Sequence, residues 1–374
     1  MRFPALMLAL LVFAAATAEA RAETVADIET AWRAWMTKSG RATGDLAVLH
    51  RGRLAHQAVM GREAPGAAVP LASLSKAVTG VCIAGLIDRG RLAFDTPLSQ
   101  ALARTFARLG APADPRFPGI TIGQLLVHRA GFDRAGFDRA GSNQVEGGDP
   151  ATGPLGTYLR SATATRPSFD AQMKWVLRRR LPLAPGERYA YTNAAYLVLG
   201  AVVEEVSGQD YESYCRNSTL VPLGIHGGVH GAALDPTWRI LASYGGWRMP
   251  LGDYGRFYQA FAAGSPAIGP AARRWMMSPE GKQIGGGVHY GLGTLVRPTP
   301  AGGNFWHWGS WTFTLDNAFD GHLNISYATF AVRLSAPDVN MAVYMTPSRG
   351  DADATRNELD RALGEAARKV TRWP

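Results

Sequence analysis

The spacing of apolar positions changes character along the chain. Over residues 24–36, "TVADIETAWRAWM", Val25, Ile28, Trp32 and Trp35 recur at helical spacing and predict an amphipathic helix. "GDLAVLHRGRLAHQAVMG" follows as two short apolar runs about Arg51-Gly52-Arg53, the pattern of a hairpin. After Ser73 an apolar run with Val78, Val81, Ile83 and Leu86 predicts a helix that stops at Gly90. From there to about residue 265 the pattern is helical, broken by Pro/Gly loops. Strand signals return in "HYGLGTLVRP", "FWHWGSWTF", "NISYATFAVRL" and "VNMAVYMTP", and a last helix spans about Ala352 to Val370. Strands at both ends and helices between them predict an α/β (α+β) architecture. An antiparallel sheet is assembled from both ends of the chain and flanked by helices, with an all-helical sub-domain inserted. The boundaries are about 23–75 and 285–374 for the sheet part and 76–284 for the helical part, and a cleft between them is the natural place for a site.

In the strand "NFWHWGSW", residues 304–311, alternation places Phe305, His307 and Gly309 on one face. Trp306, Trp308 and Ser310 fall on the other.

Residues 1–22 read differently. A basic start at Met1-Arg2, an apolar run from Ala5 to Ala16 and A-x-A at Ala18–Ala20 or Ala20–Ala22 form the pattern of a secretory signal peptide. The apolar run is too short for a membrane span, and no Cys follows it as a lipoprotein would require. The expectation is a periplasmic or secreted chain, residues 23–374, with no integral membrane segment after cleavage. Its composition is that of an ordinary globular protein, with 47% hydrophobic and 18% charged residues. Lys and Arg exceed Asp and Glu by 39 to 30, but the excess is scattered apart from Arg178–Arg180, so no nucleic-acid partner is expected. Of the two cysteines, Cys82 sits in the apolar helical run and is expected as a buried thiol; a bridge to Cys215 is left open. "AGFDRAGFDRAG", residues 130–141, repeats a five-residue unit and reads as part of a long surface loop reaching Gly156.

Three stretches carry candidate chemistry. "LASLSKAVTG" places Ser73 and Lys76 three positions apart, so that a hydroxyl and an amine share one helix face. An unactivated hydroxyl attacks poorly and needs a base beside it, and a lysine serves as that base only when neutral. "PGERYAYTNAAY" brings Tyr191, a possible proton carrier, and Asn193, which reads either as an amide for a substrate carbonyl or as a helix N-cap. The third stretch is His307-Trp308-Gly309 with Ser310 after it.

Together these stretches resemble the serine hydrolases that include class C β-lactamases, D-alanyl-D-alanine carboxypeptidases and related esterases, with S-x-x-K, Y-x-N and H-x-G in that order. "LLVHRAGF", "PGERYAYTN", "YLVLGAVVEEVSGQDYESY", "DYGRF" and "YGLG" extend the resemblance over nearly all of residues 23–374. It implies a β-lactamase/transpeptidase-like fold and an acyl-enzyme on Ser73. Lys76 and Tyr191 would form the proton relay, and which of them is the base stays open. Asn193 would orient Lys76 and the acyl side of the substrate, and the backbone N–H groups of Ser73 and Ser310 would hold the oxyanion. No metal or organic cofactor is implied. The partner would be a small ester or amide, or a peptidoglycan-derived substrate.

The sequence also departs from the family pattern. His307 stands where β-lactamases usually carry Lys, and Trp308 where a small Thr or Ser is common. Both changes are expected to disfavour a substrate carboxylate, and Trp308 to crowd the cleft wall. Trp311–Phe313 replace a usual glycine. The expectation is therefore an esterase-like hydrolase, with carboxypeptidase or β-lactamase activity as the alternative and a non-catalytic cell-wall-binding module as the rival from another class. Trp306 and Trp311 are read as packing, His128 as a structural hydrogen-bonding residue, and His226 with His230 as unfit for a metal, two glycines lying between them. No G-x-S-x-G or phosphate-binding glycine loop occurs.

Overall fold

A computed structural model describes residues 23–61, 64–134, 153–159, 164–229, 235–317, 321–348 and 353–374. The expected leader, most of the repeat loop and His230 lie outside the described residues.

Ten strands are described: β1 (Thr43–His50), β2 (Arg53–Met60), β3 (Ala68–Pro70), β4 (Arg248–Pro250), β5 (Gln283–Gly285), β6 (Val288–Tyr290), β7 (Leu295–Thr299), β8 (Gly302–Asn317), β9 (Gly321–Leu334) and β10 (Val339–Thr346). Eight form one antiparallel sheet in the order β2-β1-β10-β9-β8-β7-β6-β5, and β3 pairs with β4 alone. The N-terminal hairpin thus joins the sheet through β1 on β10, as expected of a sheet built from both ends. The segment predicted as one strand, "HYGLGTLVRP", is two: Gly291–Thr294 breaks it. A Cβ at Gly293, where φ is +77°, would overlap the Lys76 carbonyl, so this loop lies directly against the helix that carries Lys76.

Side-chain alternation divides the core in two. Leu46 and Val48 face a layer with Phe330, Val332, Met341 and Val343, covered by helices α1 (Val25–Lys38) and, at the chain's end, Asp353–Lys369. The α1 residues buried there are Val25, Ile28, Trp32, Trp35 and Met36, the predicted face extended by one position. Trp35 Nε1 donates to the Thr355 carbonyl at 3.2 Å and ties the two helices together. On the other face Ala47, Leu49, Ala331 and Ala342 meet the helical part.

The centre of that part is α2 (Ser75–Asp88), apolar almost all round and therefore buried all round. Of its polar groups, Lys76, Thr79 and Cys82 recur every third residue and share a face. Thr79 Oγ1 donates to the Ser243 carbonyl at 2.6 Å. Cys82 is not the free thiol expected from its apolar surroundings: it is bridged to Cys215, with the two Cα atoms 5.4 Å apart. Both cysteines are fully buried, and the packing of α2 on the segment after Asn193–Ser207 brings them together.

Candidate active site

From Leu71 to Ala84 every residue is buried except Ser73. Ser73 sits in a 3-10 turn, Ala72–Leu74, just ahead of α2, and Ala72 before it has a left-handed backbone with φ +49°. An alanine held there is strained by about 1–3 kcal/mol, and it persists only where its surroundings enforce it. Here they do. Thr329 Oγ1 donates to the Leu71 carbonyl at 2.8 Å and Tyr254 Oη to the Leu74 carbonyl at 2.8 Å. Leu71 N–H donates to the Trp247 carbonyl at 2.9 Å, and Trp247 N–H to Ser75 Oγ at 3.1 Å.

Lys76 is completely buried, and its Nζ reaches three oxygens: Ser73 Oγ at 3.1 Å, Asn193 Oδ1 at 2.7 Å and the Tyr244 carbonyl at 2.9 Å. An ammonium donates to all three. A neutral amine donates to the two fixed acceptors, and its lone pair is then directed at the Ser73 hydroxyl. Either protonation state is satisfied, as a proton relay requires. Tyr191, partly exposed, holds its ring 4.9 Å from Lys76 Nζ.

Asn193 is not the N-cap of its helix. That helix, α3 (Asn193–Ser207), is capped by Thr192, whose hydroxyl accepts from Ala195 N–H at 3.4 Å. With the cap supplied one residue earlier, the Asn193 amide is directed at Lys76. Tyr244 was missed by sequence reasoning, because it contributes a main-chain carbonyl.

Strand β8 forms the opposite wall. Gly309 pairs with Thr329, and a Cβ at Gly309 would lie 2.6 Å from Thr329 Oγ1 and 2.8 Å from both the Leu71 oxygen and the Ser73 nitrogen. The strand therefore passes in contact with the serine turn, which only glycine allows. β7 pairs with β8 only as far as Trp306, whose carbonyl accepts from Thr294 Oγ1 at 3.0 Å. By alternation Trp308 and Ser310 turn their backbone N–H and C=O to that same edge, past the end of β7.

His307 is buried on the cleft side of the strand. Its Nδ1 donates to the Trp308 carbonyl at 2.6 Å, and its Nε2 accepts from Tyr290 Oη at 2.8 Å. Burial, reinforced by the neighbouring Lys76, pushes its pKa down to about 3, so the ring is neutral. In the unfolded chain His307 takes up a proton below about pH 6.5, whereas in the folded chain it resists until about pH 3. Stability is thus fully present above pH 6.5 and is lost as pH falls toward 3. We expect thermal unfolding to show a melting temperature that drops from pH 7 to pH 4, with a slope of up to about 1.4 kcal/mol per pH unit from this one group. His307→Gln should flatten the drop; an unchanged slope in that variant would refute the assignment.

Trp308 is not part of this wall. It points to the other layer, stacked on Phe330 with ring centroids 4.3 Å apart, so it neither crowds the cleft nor contacts a substrate there. Trp306 packs in the same layer. Trp311, by contrast, faces the cleft side. Its Nε1 donates to the Gly245 carbonyl at 3.3 Å, next to the residue whose carbonyl holds Lys76. Among the described residues no group of His, Cys, Asp and Glu is placed to hold a metal, and no helix is long and apolar enough to cross a membrane.

A buried lysine bonded to an accessible serine, at the seam of an antiparallel sheet and a helical sub-domain, is the construction of serine hydrolases that work through an acyl-enzyme. The chain belongs to the Beta-lactamase family, whose model matches residues 23–364. It is 30% identical over 156 residues to esterase EstB of Burkholderia gladioli, covering 41% of this chain and 36% of that protein. It is 25% identical over 177 residues to the D-alanyl-D-alanine-carboxypeptidase/endopeptidase AmpH of Escherichia coli K12, covering 47% and 40%. A putative fimbrial assembly protein, FimD, of Dichelobacter nodosus matches at 29% over 147 residues, 39% of this chain and 31% of that one. The matched stretches thus span about a third of these curated relatives' length. Among solved structures, a D-stereospecific amidohydrolase from Streptomyces sp. shares the fold with a TM-score of 0.69 at 19% identity, covering 90% of this chain and 98% of that one. A beta-lactamase/D-alanine carboxypeptidase from Yersinia pestis does so with 0.66 at 17%, covering 91% and 98%.

Proposed function

We propose that the chain hydrolyses a small, neutral ester or amide through an acyl-enzyme on Ser73. The observation that carries this reading is Lys76 Nζ, 3.1 Å from Ser73 Oγ, with its other two directions fixed by Asn193 and the Tyr244 carbonyl. Ser73 Oγ attacks the substrate carbonyl, and its proton passes to the Lys76–Tyr191 pair. The oxyanion rests on the N–H groups of Ser73 and Ser310, each such donor typically contributing about 3–4 kcal/mol. The position of Ser310 on β8 past the end of β7, next to the Gly309–Ser73 contact, supports that role. The leaving alcohol or amine takes the proton, and water then cleaves the acyl-enzyme. The preference for a neutral substrate rests on the neutral His307, since Trp308 no longer bears on it. Export through a leader at residues 1–22 into the periplasm or medium belongs to the same proposal. The Cys82–Cys215 bridge supports it, because such bridges persist in oxidising compartments.

A second reading, a D-alanyl-D-alanine carboxypeptidase or β-lactamase, is favoured by Arg134, whose guanidinium carbon lies 5.3 Å from the Tyr191 ring. It supplies positive charge near the cleft that a substrate carboxylate can meet. The non-catalytic reading loses one of its two supports with Trp308 turned away, and keeps the other, Trp311–Phe313 in place of a glycine. Incubation with a fluorescent phosphonate and, separately, a fluorescent penicillin, with the adduct located by peptide mass, separates the three. Fast phosphonate labelling of Ser73 with little penicillin adduct is the expected result. A stable penicillin adduct puts the carboxypeptidase reading first, and no adduct on folded protein overturns the hydrolase.

A further inference from the structure

The "LLVHRAGF" stretch has no part in the chemistry above, yet its histidine is built into the site. His128 is buried, 2% exposed, and has a left-handed backbone with φ +54°. Its carbonyl accepts the Ala190 N–H at 2.8 Å, and its Nδ1 accepts the Thr192 N–H at 3.3 Å. One residue therefore takes both amides that flank Tyr191. The ring also packs on Tyr191, with centroids 4.4 Å apart, and on Tyr290 at 4.7 Å.

The clamp acts on Tyr191 itself. Tyr191 lies between the Pro185-Gly186 turn and α3, in irregular backbone outside any helix or strand. With Nδ1 accepting, the proton of the neutral ring is on Nε2, which is buried without a hydrogen-bond partner among the described residues. A buried N–H without an acceptor and a non-glycine left-handed residue each cost stability, so the arrangement calls for a compensating role. We infer that His128 is a positioning residue that fixes Tyr191 against Lys76 and thereby sets the rate of Ser73 acylation. The inference rests on the acyl-enzyme reading above.

The test compares His128→Phe, which keeps a ring and removes the acceptor, with His128→Asn. Asn tolerates the left-handed backbone and offers Oδ1 to the Thr192 N–H. Phosphonate labelling of Ser73 and hydrolysis of a chromogenic ester are followed after melting curves have established folding. In His128→Phe the labelling rate and kcat should fall by about a hundredfold with KM changed by less than about threefold, as a misplaced relay predicts. Asn should recover most of the loss. In a Tyr191→Phe background His128→Phe should add little, because both changes act on one element. Wild-type kinetics in His128→Phe, or an independent full loss in the Tyr191→Phe background, overturns the inference alone. If His128→Phe does not fold, His128→Ala against His128→Asn makes the same comparison. Wild-type protein that fails to label at Ser73 defeats the hydrolase reading first, and this inference with it.

Discussion

Ser73→Ala is expected to lower turnover of any good ester substrate by at least about three orders of magnitude, or roughly 4 kcal/mol of transition-state stabilisation. Lys76→Met, which keeps the length and loses the amine, should cost a similar factor, because Lys76 Nζ is hydrogen-bonded to Ser73 Oγ at 3.1 Å. The double variant should be no slower than either single one. A nucleophile and its base act as a unit, and once one is lost the other has nothing to do. Hydrolysis of a chromogenic ester by the three purified variants tests this. A Lys76→Met enzyme within about tenfold of wild type would remove Lys76 from the relay and leave Tyr191 to carry the proton without it.

The second large effect is steric. Gly309→Ala places a methyl group 2.6 Å from Thr329 Oγ1 and 2.8 Å from two main-chain atoms, the Leu71 oxygen and the Ser73 nitrogen. Backbone atoms cannot rotate away. β8 is paired with β9 over the whole stretch from Phe305 to Asn317, so the strand cannot retreat without breaking its ladder. The serine turn must move instead. Overpacking of this kind costs about 1–3 kcal/mol of stability, visible as a lower melting temperature. The functional loss should be larger, about a hundredfold in the rate of Ser73 labelling, since a displacement of about 1 Å at the reacting atoms is enough for that. Labelling within about threefold of wild type would mean that the strand does not set the position of the nucleophile.

Much of this was legible in the residues. Hydrophobic periodicity placed α1 and α2, and the alternation of "NFWHWGSW" sorted the strand into the two faces that are observed. For Trp308 the two signals disagree. Family position suggested a wall residue, while the two-residue period had already put Trp308 on the face away from His307 and Gly309. Ser73 and Lys76 could be paired by their spacing alone, although the intervening turn is 3-10 before it becomes α-helix. Other parts could not be read. Tyr244 acts through a carbonyl, and every residue has one. Asn193 and Thr192 are both good caps, and only the geometry shows which of them serves. The Cys82–Cys215 bridge joins positions 133 residues apart, and their proximity depends on how α2 packs.

The way the sheet is closed ties the serine turn to distant parts of the chain. Ser73 lies early in the chain, but the turn that bears it is pinned by Thr329, 258 residues beyond Leu71, and the sheet under it is complete only when β1 finds β10. Contacts between such distant positions carry a loop-closure entropy cost that local contacts do not. The geometry around Ser73 is thus a property of the completed sheet and not of the local sequence that bears the serine.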